Sequence, residues 1–255
     1  MMALRFTVVT VVFNAGDVLA KTLESVLHQS YLPYEYIVVD GKSTDETLKI
    51  VESYRNCFES SGVLFKVMSE KDSGIYNAMN KGIKAATGDF ISFLNAGDWY
   101  ELDALSKIDS LYEEDAFDLT YGGLHYIKPD GTITNKMSKL DRFPITSRHW
   151  NHPSMFLRRE IYQDNCFDES FRAYADFDLY LKLRKSDIRI RVIDEIITNF
   201  VADGISTKVD RKSVVFRAKE KYAAYRNNGY SRIYFLESYG WECLKALYFK
   251  MHHAR

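Results

Sequence analysis

The first hundred residues of this 255-residue chain alternate short apolar runs with amphipathic segments, and few folds accept that order. Strand-like runs lie at 6–13, 36–39, 64–68 and 90–94, each followed by helix-like sequence or a turn. Val18, Leu19, Leu23, Val26 and Leu27 recur at helical spacing behind Asp17, which is placed as an N-cap. Ser43 and Glu46 have capping-box spacing and open a helix predicted to reach about residue 58. A third helix is expected at 75–86, stopped by Gly88. This alternation predicts a parallel sheet of βαβ units, and such sheets bind ligands beyond the carboxyl ends of their strands. The segment 69–100, SEKDSGIYNAMNKGIKAATGDFISFLNAGDWY, therefore sets an acid at Asp98 just past a buried strand.

Beyond Asp98 the pattern becomes mixed. A helix is expected at 102–112, then a hairpin of strands 119–127 and 132–134 around Pro129-Asp130-Gly131. A strand at 154–158, a helix at 176–185 and a strand at 189–193 follow. From Arg211 two helices are separated at Asn227, Asn228 and Gly229. The expected organisation is one α/β domain over 1–207, with halves 1–100 and 101–207, and a helical extension over 208–255.

A chain of this length can bury a full core without disulfide or metal. The net charge of -1 and pI near 6.6 exclude a general nucleic-acid binder. Residues 210–255 differ, with ten lysines and arginines against four acids. Aromatic residues interleave with those cations, so the extension either lies on anionic lipid, packs on the main domain or forms a homodimer contact. Cys57, Cys166 and Cys243 lack zinc or redox spacing, which points to a reducing cytoplasm. No run approaches a membrane span, and the apolar start reads as a first strand rather than a leader.

Candidate site residues fall at the predicted strand ends. Thr10, Phe13 and Asn14 close the first strand; Asp40 closes the second, where it can accept a hydrogen bond from a base or ribose. Ser43 and Asp45 are explained by turn and cap chemistry alone. Asp72 precedes the helix carrying Asn77 and Asn80 one turn apart, and asparagine inside a helix suggests a hydrogen-bonding partner other than water. Asn95, Ala96, Gly97 and Asp98 form the turn after the fourth strand, read equally well as a helix-capping turn or as an oxygen site for a hard cation. Asp176 stands at a helix start, where an acid is by default a cap or dipole partner.

The segments TVVFN and VVDGKSTDET resemble the signature of family-2 glycosyltransferases, in which a Tyr-Asn and an Asp-Asp-Gly-Ser-Thr-Asp loop hold uridine. Here Phe13 stands for the tyrosine and Gly41 for the second aspartate. The resemblance covers about 6–206 and implies a GT-A fold, a Rossmann-like, mixed but mainly parallel sheet, and inverting transfer from a nucleotide sugar, a UDP-sugar by the signature. Asp72 and the Asn77-Asn80 helix would lie beside the nucleotide. The family's Asp-Ala-Asp-Asp turn is Asn95-Ala96-Gly97-Asp98 here, leaving Asp98 to hold Mg²⁺ or Mn²⁺ with Asn95 as a neutral neighbour. Asp176 aligns with the acid that deprotonates the acceptor, with Ala175 for the usual glutamate; His152-Pro153-Ser154 matches an acceptor-side segment, and 202–206 a lid. The implied setting is surface-polysaccharide synthesis with a glycan or lipid-linked acceptor at the inner membrane face. The rival functions are a nucleotidyltransferase, for which Asn14-Ala15-Gly16 makes a poor phosphate loop, and a nucleotide-sugar-binding protein without activity.

Overall fold

The computed structural model describes residues 3–202 and 210–252. Strand β1 (Phe6–Val12), β2 (Glu35–Asp40) and β4 (Phe90–Phe93) are buried along their whole lengths, as strands covered on both faces must be. Strand β3 (Leu64–Ser69) is more exposed because it is the sheet edge. These four run parallel in the order β3-β2-β1-β4. The sheet continues through β8 (Met155–Arg158), β6 (Leu119–Ile127), β9 (Ile190–Val201) and β5 (Trp99–Tyr100), with β7 (Ile133–Lys136) paired to β6. β8 is antiparallel to both its neighbours and β5 antiparallel to β9, whereas β6 and β9 pair in parallel. The observed architecture is thus α/β, with a mainly parallel mixed sheet.

Alternation along each strand divides the interior into two layers. Val9, Val11, Ile37 and Val39 face α4 (Ile75–Ala85) and α7 (Ala175–Leu183). Val8, Val12, Tyr36 and Val38 face α1 (Gly16–Leu27), α2 (Thr47–Ser53), α3 (Arg55–Ser60) and α5 (Ala104–Glu114). Helix α4 approaches β1 so closely that a Cβ on Gly82 would lie 2.5 Å from Val9 Cγ1. Leu23, at 0% exposure, illustrates the energetics: truncation to alanine costs about 2–5 kcal/mol.

Several boundaries differ from expectation. Asp17 sits inside the first turn of α1, and Ala15 occupies the cap without a side-chain bond. The predicted helix after Ser43 is two short helices divided at Tyr54, and Ser43 serves the preceding loop instead of a capping box. The fifth helix begins at Ala104, the hairpin returns at Ile133–Lys136, and the eighth strand is led by a 3-10 turn, His152–Ser154. β9 runs eight residues beyond residue 193, and the two-residue β5 and the short α6 (Arg159–Asp164) had no sequence signal.

Helix α8 (Arg211–Asn227), a π-helical turn (Leu236–Gly240) and α9 (Trp241–His252) form the C-terminal segment. Its Ala224, Tyr225 and Tyr234 belong to the same core layer as Phe177 and Tyr180 of α7. No helix among the described residues is long and apolar enough to cross a membrane, and all three cysteines are free.

Candidate active site

The register pairs Val12 with Asp40 and Asp40 with Ser69, so the loops after β1, β2 and β3 meet side by side. They are knitted together by their own polar groups. Gly41 N–H donates to Val12 O at 2.9 Å, Asn14 N–H to Ser43 Oγ at 2.8 Å, and Thr44 N–H to Asn14 Oδ1 at 2.8 Å. Asn14 and Lys42 both hold left-handed backbone, φ 48° and 68°. Such conformations cost energy in a non-glycine residue and concentrate at functional sites, a signal that sequence reading could not supply for Lys42.

Asp40 is completely buried beneath these loops. Its carboxylate accepts from Ser43 N–H at 3.1 Å, from the Ser43 hydroxyl, and from Ser69 Oγ at 2.6 Å, so its oxygens shape the loop from within. Thr10 is likewise buried, its hydroxyl 2.9 Å from that of Tyr36. Phe13 behaves oppositely: its ring is 63% exposed above the loops. Beside it, a Cβ built on Gly41 would fall 2.7 Å from Asp72 Oδ2 and 3.4 Å from Phe13 Cδ2. Asp72 Oδ2 thus occupies the space that a side chain at position 41 would enter, and its Oδ1 accepts Gly74 N–H at 3.1 Å.

Helix α4 starts three residues after Asp72 and reaches the other half of the chain. Asn77 Nδ2 donates to Glu169 Oε2 at 2.9 Å. Asn80 Nδ2 donates to Glu169 Oε1 and Phe167 O, both at 2.9 Å, and Asn80 Oδ1 accepts Phe167 N–H at 3.0 Å. The helix-interior asparagines thus have protein partners, and they fix the segment before Asp176. Tyr76 completes the link, its hydroxyl donating to Asp176 Oδ1 at 3.0 Å.

Asp176 lies in the first turn of α7, where Tyr174 holds the cap position. Oδ1 also accepts Phe177 N–H at 2.9 Å, while Oδ2 lies 3.8 Å from His152 Nδ1. His152 is buried among Phe93, Trp150 and Phe167. That burial holds its pKa below the ordinary value, although the Asp176 charge acts the other way. Beside α7, Glu220 accepts Arg172 and Ala173 N–H, each at 2.8 Å, and Tyr174 donates to Glu242 at 3.0 Å. Sequence reading missed these contacts because their partners lie about fifty to seventy residues away.

The Asn95–Asp98 turn closes with Asp98 N–H donating to Asn95 O at 3.1 Å and Gly97 at φ 94°. Thr22 braces it from α1, accepting Gly97 N–H at 2.9 Å and donating to Asp98 O at 2.8 Å. Asp98 is 4% exposed and its Oδ1 accepts Val201 N–H at 2.9 Å. Ala96 is half-buried between the two polar residues, and Asn95 Oδ1 is buried without a hydrogen-bond partner. Among the described residues no three acids, histidines or cysteines converge on a cation site. A buried oxygen lacking a donor, next to one carboxylate, suits a hard cation that takes its remaining ligands from phosphate. Residues 203–206 of the expected lid lie outside the described residues.

The family model described as Glycosyl transferase family 2 matches residues 7–180. A PGL/p-HBAD biosynthesis glycosyltransferase of Mycobacterium bovis (strain BCG / Pasteur 1173P2) is 30% identical over 185 residues, 71% of this chain and 70% of that protein. The crystal structure of S. aureus TarS 1-349 in complex with UDP superposes with a TM-score of 0.66 at 19% identity, covering 98% of this chain and 73% of that one. The mannosyltransferase PcManGT from Pyrobaculum calidifontis, in complex with GDP-Man and Mn²⁺, gives 0.65 at 15% identity, covering 99% and 76%. The shared fold is GT-A.

Proposed function

The chain belongs to glycosyl transferase family 2 and is a glycosyltransferase; from that membership we propose that it moves a sugar, with inversion, from a UDP-sugar to a hydroxyl of a glycan or lipid-linked acceptor in surface-polysaccharide synthesis. One observation carries the reading. The helix that follows Asp72 on the nucleotide side delivers Tyr76, four residues later, to Asp176 on the acceptor side, so a donor loop and a candidate base share one rigid element. In this division residues 1–100 bind the donor, 101–207 present the acceptor, and 208–255 brace the base.

Phe13 offers its exposed ring to the base, and Asp72 supplies the carboxylate that Gly41 lacks. Asp40 and Asn14 act by holding the loop that carries them; Asn77 and Asn80 act by fixing the acceptor segment. Asp98 and Asn95 would hold Mn²⁺ or Mg²⁺, whose bound charge offsets that developing on the diphosphate. Asp176 takes the proton of the acceptor hydroxyl as that oxygen attacks the anomeric carbon. His152, kept neutral by burial, adds no cation to compete for the carboxylate.

Calorimetric titration with UDP, with and without Mn²⁺, tests the donor assignment. Binding strengthened by the cation is expected; no binding to any nucleoside diphosphate would contradict it.

We further assign the C-terminal segment a peripheral contact with anionic lipid. Its four acids are engaged internally: Asp210 caps Ser213, Glu220 holds Arg172 and Ala173, Glu237 pairs with Lys221 and Glu242 with Arg217. The exposed residues of the segment include the cations Arg226 and Arg232 and the apolar Ile233, Leu236, Leu244 and Leu247. Cosedimentation with phosphatidylglycerol vesicles, lost in Leu236→Asp, is the expected result. Binding to neither anionic nor neutral vesicles, with a dimer in solution, would assign the face to a second copy.

A further inference from the structure

The two oxygens of Asp176 are not equivalent. Oδ1 receives two donors, the Tyr76 hydroxyl at 3.0 Å and Phe177 N–H at 2.9 Å. Oδ2 has His152 Nδ1 at 3.8 Å, beyond hydrogen-bond reach. We propose, resting on the reading of Asp176 as general base, that Tyr76 is a positioning residue: it commits Oδ1 to the protein and leaves Oδ2 as the oxygen that receives the acceptor's proton.

The donor is itself held rigidly. Tyr76 is 6% exposed, its ring packs at 5.5 Å against Phe167, and Phe167 is bound through its main chain by Asn80 one turn along α4. Burial and the neighbouring Asp176 charge hold its phenol well above the ordinary tyrosine range, so it stays protonated and can only donate to the carboxylate. Of the other groups around Asp176, His152 of the 3-10 turn lies at 3.8 Å, and Tyr162 of α6 and Tyr174 just before α7 feel its charge. None of these is a cation that could replace the Tyr76 bond.

The transfer step then balances. The acceptor O–H bond breaks, its proton passes to Oδ2, the acceptor oxygen forms a bond to the anomeric carbon, and the carbon–oxygen bond to the diphosphate breaks with its electron pair leaving on the nucleotide. A carboxylate relieved of one donor is freer to rotate away from the acceptor, so losing the tyrosine hydroxyl should slow turnover without touching the donor site.

The test compares wild type, Tyr76→Phe and Asp176→Asn in slow hydrolysis of a panel of UDP-sugars across pH, with UDP binding followed by calorimetry. Tyr76→Phe is expected to lower kcat roughly tenfold to a hundredfold, with the KM for the UDP-sugar and the UDP affinity within about twofold. A kcat within about twofold of wild type overturns the proposal, as does a loss of UDP affinity matching the loss of rate. Full turnover in Asp176→Asn overturns the base assignment itself, whatever Tyr76→Phe does.

Discussion

Arg217 of α8 and Glu242 of α9 form an ion pair of 2.8 Å in which both side chains are only 2% exposed. Glu242 also receives the Tyr174 hydroxyl, two residues before Asp176. The C-terminal helices are thus tied to the candidate base through a desolvated charge pair. Removing Arg217 leaves the Glu242 charge buried without its guanidinium, so Arg217→Met should cost about 3–5 kcal/mol in urea unfolding. Replacing both with apolar residues should recover much of that loss.

Phe13 carries a different expectation because its ring is exposed and its removal leaves no cavity. Phe13→Ala should weaken UDP binding by about 1–3 kcal/mol, the range for an aromatic stacked on a base, with the unfolding midpoint unchanged. Phe13→Tyr should bind as wild type does. Calorimetry of the three proteins separates stacking from loop stability.

Gly41 and Asp72 compete for one space. Gly41→Asp, which restores the usual family residue, would set a side chain within 2.7 Å of Asp72 Oδ2 and a second negative charge beside it. UDP affinity is expected to fall rather than rise. Asp72→Asn should weaken binding as well, and a gain of affinity in Gly41→Asp would show that Asp72 does not fill the role.

Asp178 gives a pH dependence whose sign follows from its surroundings. Burial first, then the Asp168 charge, push its pKa up from 3.8 to about 6. A raised folded-state value means that the stability linked to the protonated acid is fully present below about pH 4 and is lost as pH rises through about 6. Asp178→Asn, which keeps an oxygen toward Asn228, should raise the unfolding midpoint at pH 7.5 and change it little at pH 4.

Much of residues 1–100 was legible because β1, β2 and β4 are buried along their whole lengths and read as largely apolar runs. The other half was less so: the strand expected at 189–193 left out Asp194 and Glu195, yet Glu195 sits exposed on β9 and pairs with Lys107 at 2.7 Å. β5 is too short for periodicity to register. Asp40 was expected to meet a ligand, but a carboxylate's hydrogen-bond partners are tertiary facts, and here they are Ser43 and Ser69. The contact of Tyr76 with Asp176 spans one hundred residues of sequence, and no local pattern announces it.

The central claim is that Asp176 takes the acceptor's proton while the first hundred residues hold the donor. It is tested most directly by release of UDP from a UDP-sugar, compared between wild type and Asp176→Asn at equal UDP affinity. The expected result is a loss of about 10²–10⁴ in rate for the variant, the range for general-base catalysis, with the affinity unchanged. A variant that turns over at the wild-type rate would contradict it.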